Sequence, residues 1–339
     1  MNKILALSGC TDYPKDLAGE NQYLSWQWLE EGILKIEPCF EATDQVLIST
    51  GIHGNETAPI EIVAQIVCQL LNGELPLKVN LLLVFGNIKA IAEGQRYLDA
   101  DLNRMFNGRH INYPGTAESK RAAEIEQDVE RFFAQQDRQG QRFHFDLHTA
   151  IRGSHYQKFG LLPQQIKTQH ASYLNWLVSM GLQALVVNLI PSGTFSSFTS
   201  NQCEATSCTL ELGKAKPFGE NDLANFSEIQ EALINLISGI EIQDATTDKP
   251  VVYIVEQELI KFSDQFKFIA VDDSVENFTR YTKDTLIATD NSVNYQVKND
   301  SEWILFPNPL VKNGLRAGIL LAQGDTENLF VDEVHGCAS

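Results

Sequence analysis

The chain has 339 residues and a formal net charge of −18. That length predicts a large α/β domain with an appended piece, and that charge argues against nucleic acid as a partner, because gripping phosphates takes a concentrated basic face. With 43% hydrophobic and 21% charged residues, the composition is that of a globular protein and excludes a disordered or fibrous one.

No run approaches the roughly 20 apolar residues of a membrane span, and the apolar stretch within MNKILALSGCTDYPKD is too short for a signal peptide. No membrane partner and a cytoplasmic location are therefore expected. Six cysteines (Cys10, Cys39, Cys68, Cys203, Cys208 and Cys337) are scattered without a CxxC pair, which speaks against a disulfide scaffold or a thiolate zinc site and predicts reduced, mostly packed side chains. An anionic substrate would need a few arginines to build a local positive pocket against the overall field.

In chain order, residues 23–28 and 32–37 read as strands. Strand-length apolar runs then alternate with helical stretches. A strand at 45–50 precedes a helix over 56–72, and a strand at 79–87 precedes a helix over 117–137. Strands at 143–149, 160–162, 183–190 and 208–212 follow, with a last helix over 221–238. This alternation predicts a mixed, mainly parallel sheet with helices on both faces. After about residue 245 the texture changes to short β-forming runs (VVYIVEQ, KFIAV, TLIATD, WILFP, GILLAQ) broken by Asp, Asn, Pro and Gly. A catalytic domain over 1–244 and a smaller, mostly β domain over 245–339 are expected, with Asp244–Pro250 as the boundary.

The segment STGIHGNETAPIEI ends an apolar run at Gly51 and then presents His53 and Glu56 at the start of a helix. Ligands of open α/β sheets gather at the carboxyl ends of strands, and a His and a Glu three residues apart across a glycine-rich turn can converge on one ion. Glu56 alone is equally explained as an acidic residue favoured by a helix dipole. FHFDLHTAIRG adds His148 at another strand end. Strand alternation sets Asp146 on the same side behind it. Two histidines and one glutamate form the ligand set of a catalytic zinc, whereas the plain alternative for His148 is a core histidine bonded to a carbonyl. His144 and His155 are nearby competitors.

In CTLELGK, Glu211 is a lone charge in a strand that otherwise reads as buried. Such a carboxylate must be paired or functional: a general base, or the partner of Lys214 or Lys216. EGQRYLDADLNRMF supplies Arg96, Asn103 and Arg104, donors suited to carboxylates and to a developing oxyanion, though arginines at this spacing also serve as surface ion pairs.

Taken in order, HGNE, the NR pair, DLH and the ELG glutamate resemble the zinc carboxypeptidase-like superfamily, and within it the succinylglutamate desuccinylase and aspartoacylase branch. GIHGNETAPIEI, QRYLDADLNRMFNG, DLHTAIRGS and PSGTFSSFTS carry the resemblance along nearly the whole chain. It implies one Zn²⁺ per chain held by His53, Glu56 and His148, with Glu211 as acid/base. It further implies that Arg96 polarises the scissile carbonyl and that Asn103 and Arg104 grip a substrate carboxylate. The implied partner is a small anionic N-acyl amino acid, and the implied activity is hydrolysis of the N-succinyl-L-glutamate amide at the end of arginine catabolism. Homo-oligomerisation is left open. An aspartoacylase-like hydrolase of another N-acyl amino acid and a non-catalytic zinc-binding protein are the alternatives.

Overall fold

Thirteen strands form one sheet among the described residues. The computed structural model describes residues 2–9, 11–134, 140–150, 152–163, 169–188, 190–214, 216–242, 249–325 and 330–331. At the centre of the sheet, the strands Asn80–Phe85, Gln45–Thr50, Arg142–Ala150 and Thr206–Lys214 lie side by side and parallel. Gln45–Thr50 and Asn80–Phe85 are buried along their whole lengths, as continuous apolar runs covered on both faces should be. The observed elements match the expected alternation to within a few residues. The helices Asn2–Leu7, Ile88–Glu93, Ala171–Ser179 and Phe195–Gln202 were not expected. Of the expected boundary at 244–250, residues 244–248 lie outside the described residues, as do 135–137 of the helix expected over 117–137.

Strand alternation divides the core. Val46, Ile48, Phe143, Phe145 and Leu147 join one apolar cluster with the helices Thr57–Leu71 and Ser227–Ile237. The opposite face carries Leu47, Leu82 and Val84 against Ala122, Ile125, Val129, Phe195 and Phe198. On this second face Arg142–Ala150 presents His144, Asp146 and His148 in place of apolar residues. Parallel register sets Ser207, Thr209 and Glu211 beside these three. The pleat thus lays a polar row through the core that ends at the carboxyl edge of the sheet.

The short helix Phe195–Gln202 packs over that row. Its sequence, FSSFTSNQ, is a poor helix former. Thr194 caps it by accepting from Ser197 N, and Phe195 and Phe198 anchor it, Phe195 stacking on Phe106 at 4.5 Å between ring centroids.

Beyond residue 249 the described residues form strands and no helix. Val251–Ile260 pairs in parallel with Ala184–Val187 and antiparallel with Arg316–Gln323. The smaller β region therefore extends the central sheet and adds a three-stranded antiparallel sheet and its own core around Leu259, Ile287, Tyr295 and Leu320. Cys39, Cys203 and Cys208 carry free thiols, whereas Cys68 is disulfide-bonded, which departs from the expectation of reduced cysteines.

At the end of Gln45–Thr50 the backbone turns through Gly51 at φ +65° and packs Gly54 directly on the helix Ile88–Glu93. A Cβ on Gly54 would sit 2.2 Å from the carbonyl carbon of Ala90, a backbone atom that cannot rotate away. Gly54→Ala should therefore cost about 1–3 kcal/mol in urea unfolding. An unchanged midpoint would show that this helix yields freely.

Candidate active site

His53 and Glu56 stand where Gln45–Thr50 gives way to the helix Thr57–Leu71, and His148 lies near the end of the neighbouring strand. All three are at most 4% exposed, and one ligand atom from each lies within 4.8 Å of the others. The two histidines are oriented alike. His53 turns Nδ1 to Glu56 Oε1 at 2.9 Å and Nε2 to Asp101 Oδ1 at 2.9 Å. His148 turns Nδ1 to Glu56 Oε2 at 3.0 Å and Nε2 to Asp146 Oδ2 at 2.9 Å. Each ring is held from outside by a carboxylate and presents its other nitrogen to the shared centre, the arrangement that orients imidazole ligands of metals.

The donor set passes a further test. His53 Nδ1 lies 2.9 Å from Glu56 Oε1 without the alignment of a hydrogen bond, and Glu211 Oε2 is buried with no hydrogen-bond partner among the described residues, costs that a cation and a water beside them would relieve. Two imidazoles and one carboxylate match the protein ligands that a catalytic zinc prefers.

Glu211 comes from Thr206–Lys214, in register with His148. It is 8% exposed and pairs with neither Lys214 nor Lys216, both of which are exposed. Burial pushes its carboxyl up to about 7. The negative charge of Glu56 adds to the rise, while His148, His53 and Arg96 oppose it. For Glu56, burial acts upward too, but His53 and His148 outweigh it and hold the carboxyl well below the usual range. Two carboxyls in one pocket are thus driven apart, one ionised and one able to carry a proton near neutrality.

Arg96 donates from its Nη1 to Glu56 Oε1 at 2.8 Å. The segment bearing it is anchored through Gly54 N, which donates to Arg96 O, and through the fully buried Glu118, which accepts from Leu98 N, Asp99 N and Asn87 Nδ2. Asp101 then caps a single 3₁₀ turn, Leu102–Arg104, by accepting from Asn103 N. Asn103 accepts from Phe195 N through Oδ1, and no protein acceptor engages its Nδ2 among the described residues. Among the described residues Arg104, with its side chain 37% exposed, has only a 3.7 Å contact to Asp101 Oδ2 and a bond to its neighbour's carbonyl.

His144 lies two residues behind Asp146, with both nitrogens engaged by Ser49 and Thr199. His155 lies at the surface near Glu276.

Sequence reasoning missed Asp101, whose only signal was its place two residues before Asn103 as a turn cap. It also missed Arg316. This arginine of the smaller β region bonds Glu258 at 2.8 Å, and burial first, then the charge of Arg104, lower its pKa from the ordinary value, so a further guanidinium stands near Arg104. Pairing of distant strands supplied it, and no local motif marks it.

Comparison with known proteins points to one family. Residues 42–237 match the model described as succinylglutamate desuccinylase/aspartoacylase catalytic domain, and residues 248–324 match that of the AstE/AspA barrel-sandwich hybrid domain. A succinylglutamate desuccinylase of Yersinia enterocolitica is 48% identical over 96% of this chain and 98% of its own. The chain belongs to the succinylglutamate desuccinylase/aspartoacylase family.

Among solved structures of this family, the succinylglutamate desuccinylase of Chromobacterium violaceum is 40% identical and superposes with a TM-score of 0.81, covering 95% of this chain and 98% of that one. The protein of that name from Vibrio parahaemolyticus, 28% identical, reaches a TM-score of 0.85 over 95% of each chain. Both domains of the family are therefore spanned in one chain.

The raised pKa of Glu211 carries a pH signature. Because the folded protein holds this proton more tightly than the unfolded chain does, the group's contribution turns unfavourable as pH climbs above 4.5, the ordinary value, and is fully unfavourable above about 7. With metal stripped by a chelator, Glu211→Gln should be more stable than wild type at pH 8 by up to roughly 3 kcal/mol, the advantage fading toward pH 5. Denaturant melts at the two pH values measure this, and equal stability at pH 8 would contradict it.

Proposed function

We propose that this protein hydrolyses the amide bond of N-succinyl-L-glutamate to succinate and L-glutamate, with one zinc ion held by His53, Glu56 and His148. The reaction closes arginine breakdown by the succinyltransferase route. The observation that carries the reading is the convergence of two inward-facing imidazole nitrogens and one carboxylate beside a second, unpartnered carboxyl whose pKa lies near 7. Similarity to succinylglutamate desuccinylases along 95% or more of the chain supports the choice of substrate. In this reading residues 1–244 form the catalytic domain and 245–339 the β domain beside it.

Zinc, when bound, supplies Lewis acidity, which eases deprotonation of water and steadies negative charge on oxygen. Glu211 removes a proton from the attacking water and passes it to the leaving amine nitrogen. A group with a pKa near the working pH can both accept and return a proton without a large penalty. Arg96 offers its guanidinium to the scissile carbonyl oxygen, where negative charge grows in the transition state. The free Nδ2 of Asn103 and the half-exposed guanidinium of Arg104 bind a substrate carboxylate, as their few internal partners suit them to do.

Glu211→Gln should retain one zinc per chain by elemental analysis and lose roughly 10²–10⁴-fold in kcat. Near-normal turnover would remove Glu211 from proton transfer. Arg104→Ala should raise KM with a smaller change in kcat, whereas an unchanged KM would exclude it from the carboxylate clamp. A panel of N-acyl amino acids tests the substrate directly. Faster hydrolysis of N-acetyl-L-aspartate than of N-succinyl-L-glutamate would turn the reading toward the aspartoacylase side, and zinc uptake with no hydrolysis at all would favour a binding protein.

A further inference from the structure

The polar row behind the candidate metal centre is a chain of four fully buried side chains. Thr199 Oγ1 lies 2.7 Å from His144 Nδ1, and His144 Nε2 lies 2.8 Å from Ser49 Oγ. Ser49 Oγ donates to Asp146 Oδ1 at 2.6 Å, and the other oxygen of Asp146 meets His148 Nε2 at 2.9 Å. None of Thr199, His144, Ser49 and Asp146 is exposed to solvent. Polar groups there are costlier than the valines and leucines that fill the rest of the sheet, unless every one is satisfied.

The hydrogens in this chain can run only one way. Ser49 has a single hydroxyl hydrogen, and the ionised carboxylate of Asp146 can only accept, so that hydrogen goes to Asp146. Ser49 oxygen must then accept from His144, which requires a hydrogen on Nε2. Burial pushes His144 down to about 4, so the ring is neutral and carries no second hydrogen. Nδ1 is therefore an acceptor, and the hydroxyl of Thr199 supplies its donor. Thr199 Oγ1 also lies 2.9 Å from Ser207 Oγ, whose hydroxyl can donate to it, 3.1 Å from the carbonyl of Ser196 and 3.3 Å from that of Phe195, all longer than its contact with the ring.

We propose that Thr199, His144 and Ser49 are positioning residues of the metal centre: their one-way chain locks Asp146 so that it holds the His148 ring by Nε2–H and presents Nδ1 to the ion. The inference rests on the metal reading above and extends it into the core by four successive hydrogen bonds, from His148 through Asp146, Ser49 and His144 to Thr199. It also assigns a purpose to the serine- and threonine-rich helix Phe195–Gln202, which delivers Thr199.

Two measurements on the zinc-loaded protein test it. Long-range proton–nitrogen NMR correlations of histidine-labelled protein report the tautomer of His144, expected as Nε2–H with a bare Nδ1. Competition with a chromophoric chelator gives zinc affinities for wild type, H144L, H144Q, S49A and T199V. H144L and S49A should bind zinc measurably more weakly, by up to the roughly 10–100-fold that loss of a direct partner such as Asp146 costs a metal-bound histidine. H144Q should stay close to wild type, because its amide can donate to Ser49.

A His144 ring found as Nδ1–H would overturn the proposal. So would wild-type affinity in both H144L and S49A, or H144Q as weak as H144L, which would mark a purely structural role. If H144L fails to fold, S49A and T199V carry the affinity test. Absence of zinc uptake by wild type would sink the metal reading itself, a result distinct from uptake that all variants share.

Discussion

The site depends on a single electrostatic bargain: Glu56 lies between two imidazoles, each backed by another carboxylate. His53 and His148 keep Glu56 ionised in a pocket that would otherwise favour its protonated form. Asp101 and Asp146 keep the rings turned so that Nδ1 faces inward. If any of the three carboxylates is removed, a buried imidazole loses its orientation, and the convergence that could hold an ion is lost with it. Much of the surrounding fold can be understood as the means of delivering these five side chains. Two parallel strands end at one edge, a glycine turn packs on the helix Ile88–Glu93, and a capped 3₁₀ turn brings Asp101 across.

Charge separation within the pocket follows from the same arrangement. Glu211 lies in register with His148 but lacks the direct imidazole contacts that Glu56 has, so burial and the nearby negative charge govern it. Two residues of the same type, a few ångströms apart, are thereby given opposite protonation preferences by their neighbours alone. Arg96, bonded to Glu56, and the partly exposed Arg104 add positive charge beside these carboxyls, as a protein of net charge −18 would need in order to receive an anion.

The central strands and the positions of His53, Glu56, His148 and Glu211 at or near strand ends were legible because burial on both faces leaves a continuous apolar run, and each motif interrupts such a run with a charge. The helix Phe195–Gln202 was not legible. Its serines and threonines read as loop, and only tertiary bonds such as Ser196 to Thr209 and Thr199 to His144 make it worthwhile. Asp101 was hidden for a different reason: a capping aspartate and a histidine-orienting aspartate look the same until the turn is folded. The structure also recasts His144. As a sequence feature it competed with His148 for the ion, whereas its two engaged nitrogens make it part of the support behind that histidine.

The parallel pairing of Val251–Ile254 with Ala184–Val187 bears on how the molecule can be divided. The β region after residue 249 covers what would otherwise be a bare edge of the sheet, the apolar run ALVV with a row of unpaired amides and carbonyls. A fragment cut before that pairing would present a sticky template to other copies of itself, the geometry from which edge-to-edge aggregation starts. The pairing thus removes one exposed edge from the sheet that carries the candidate site.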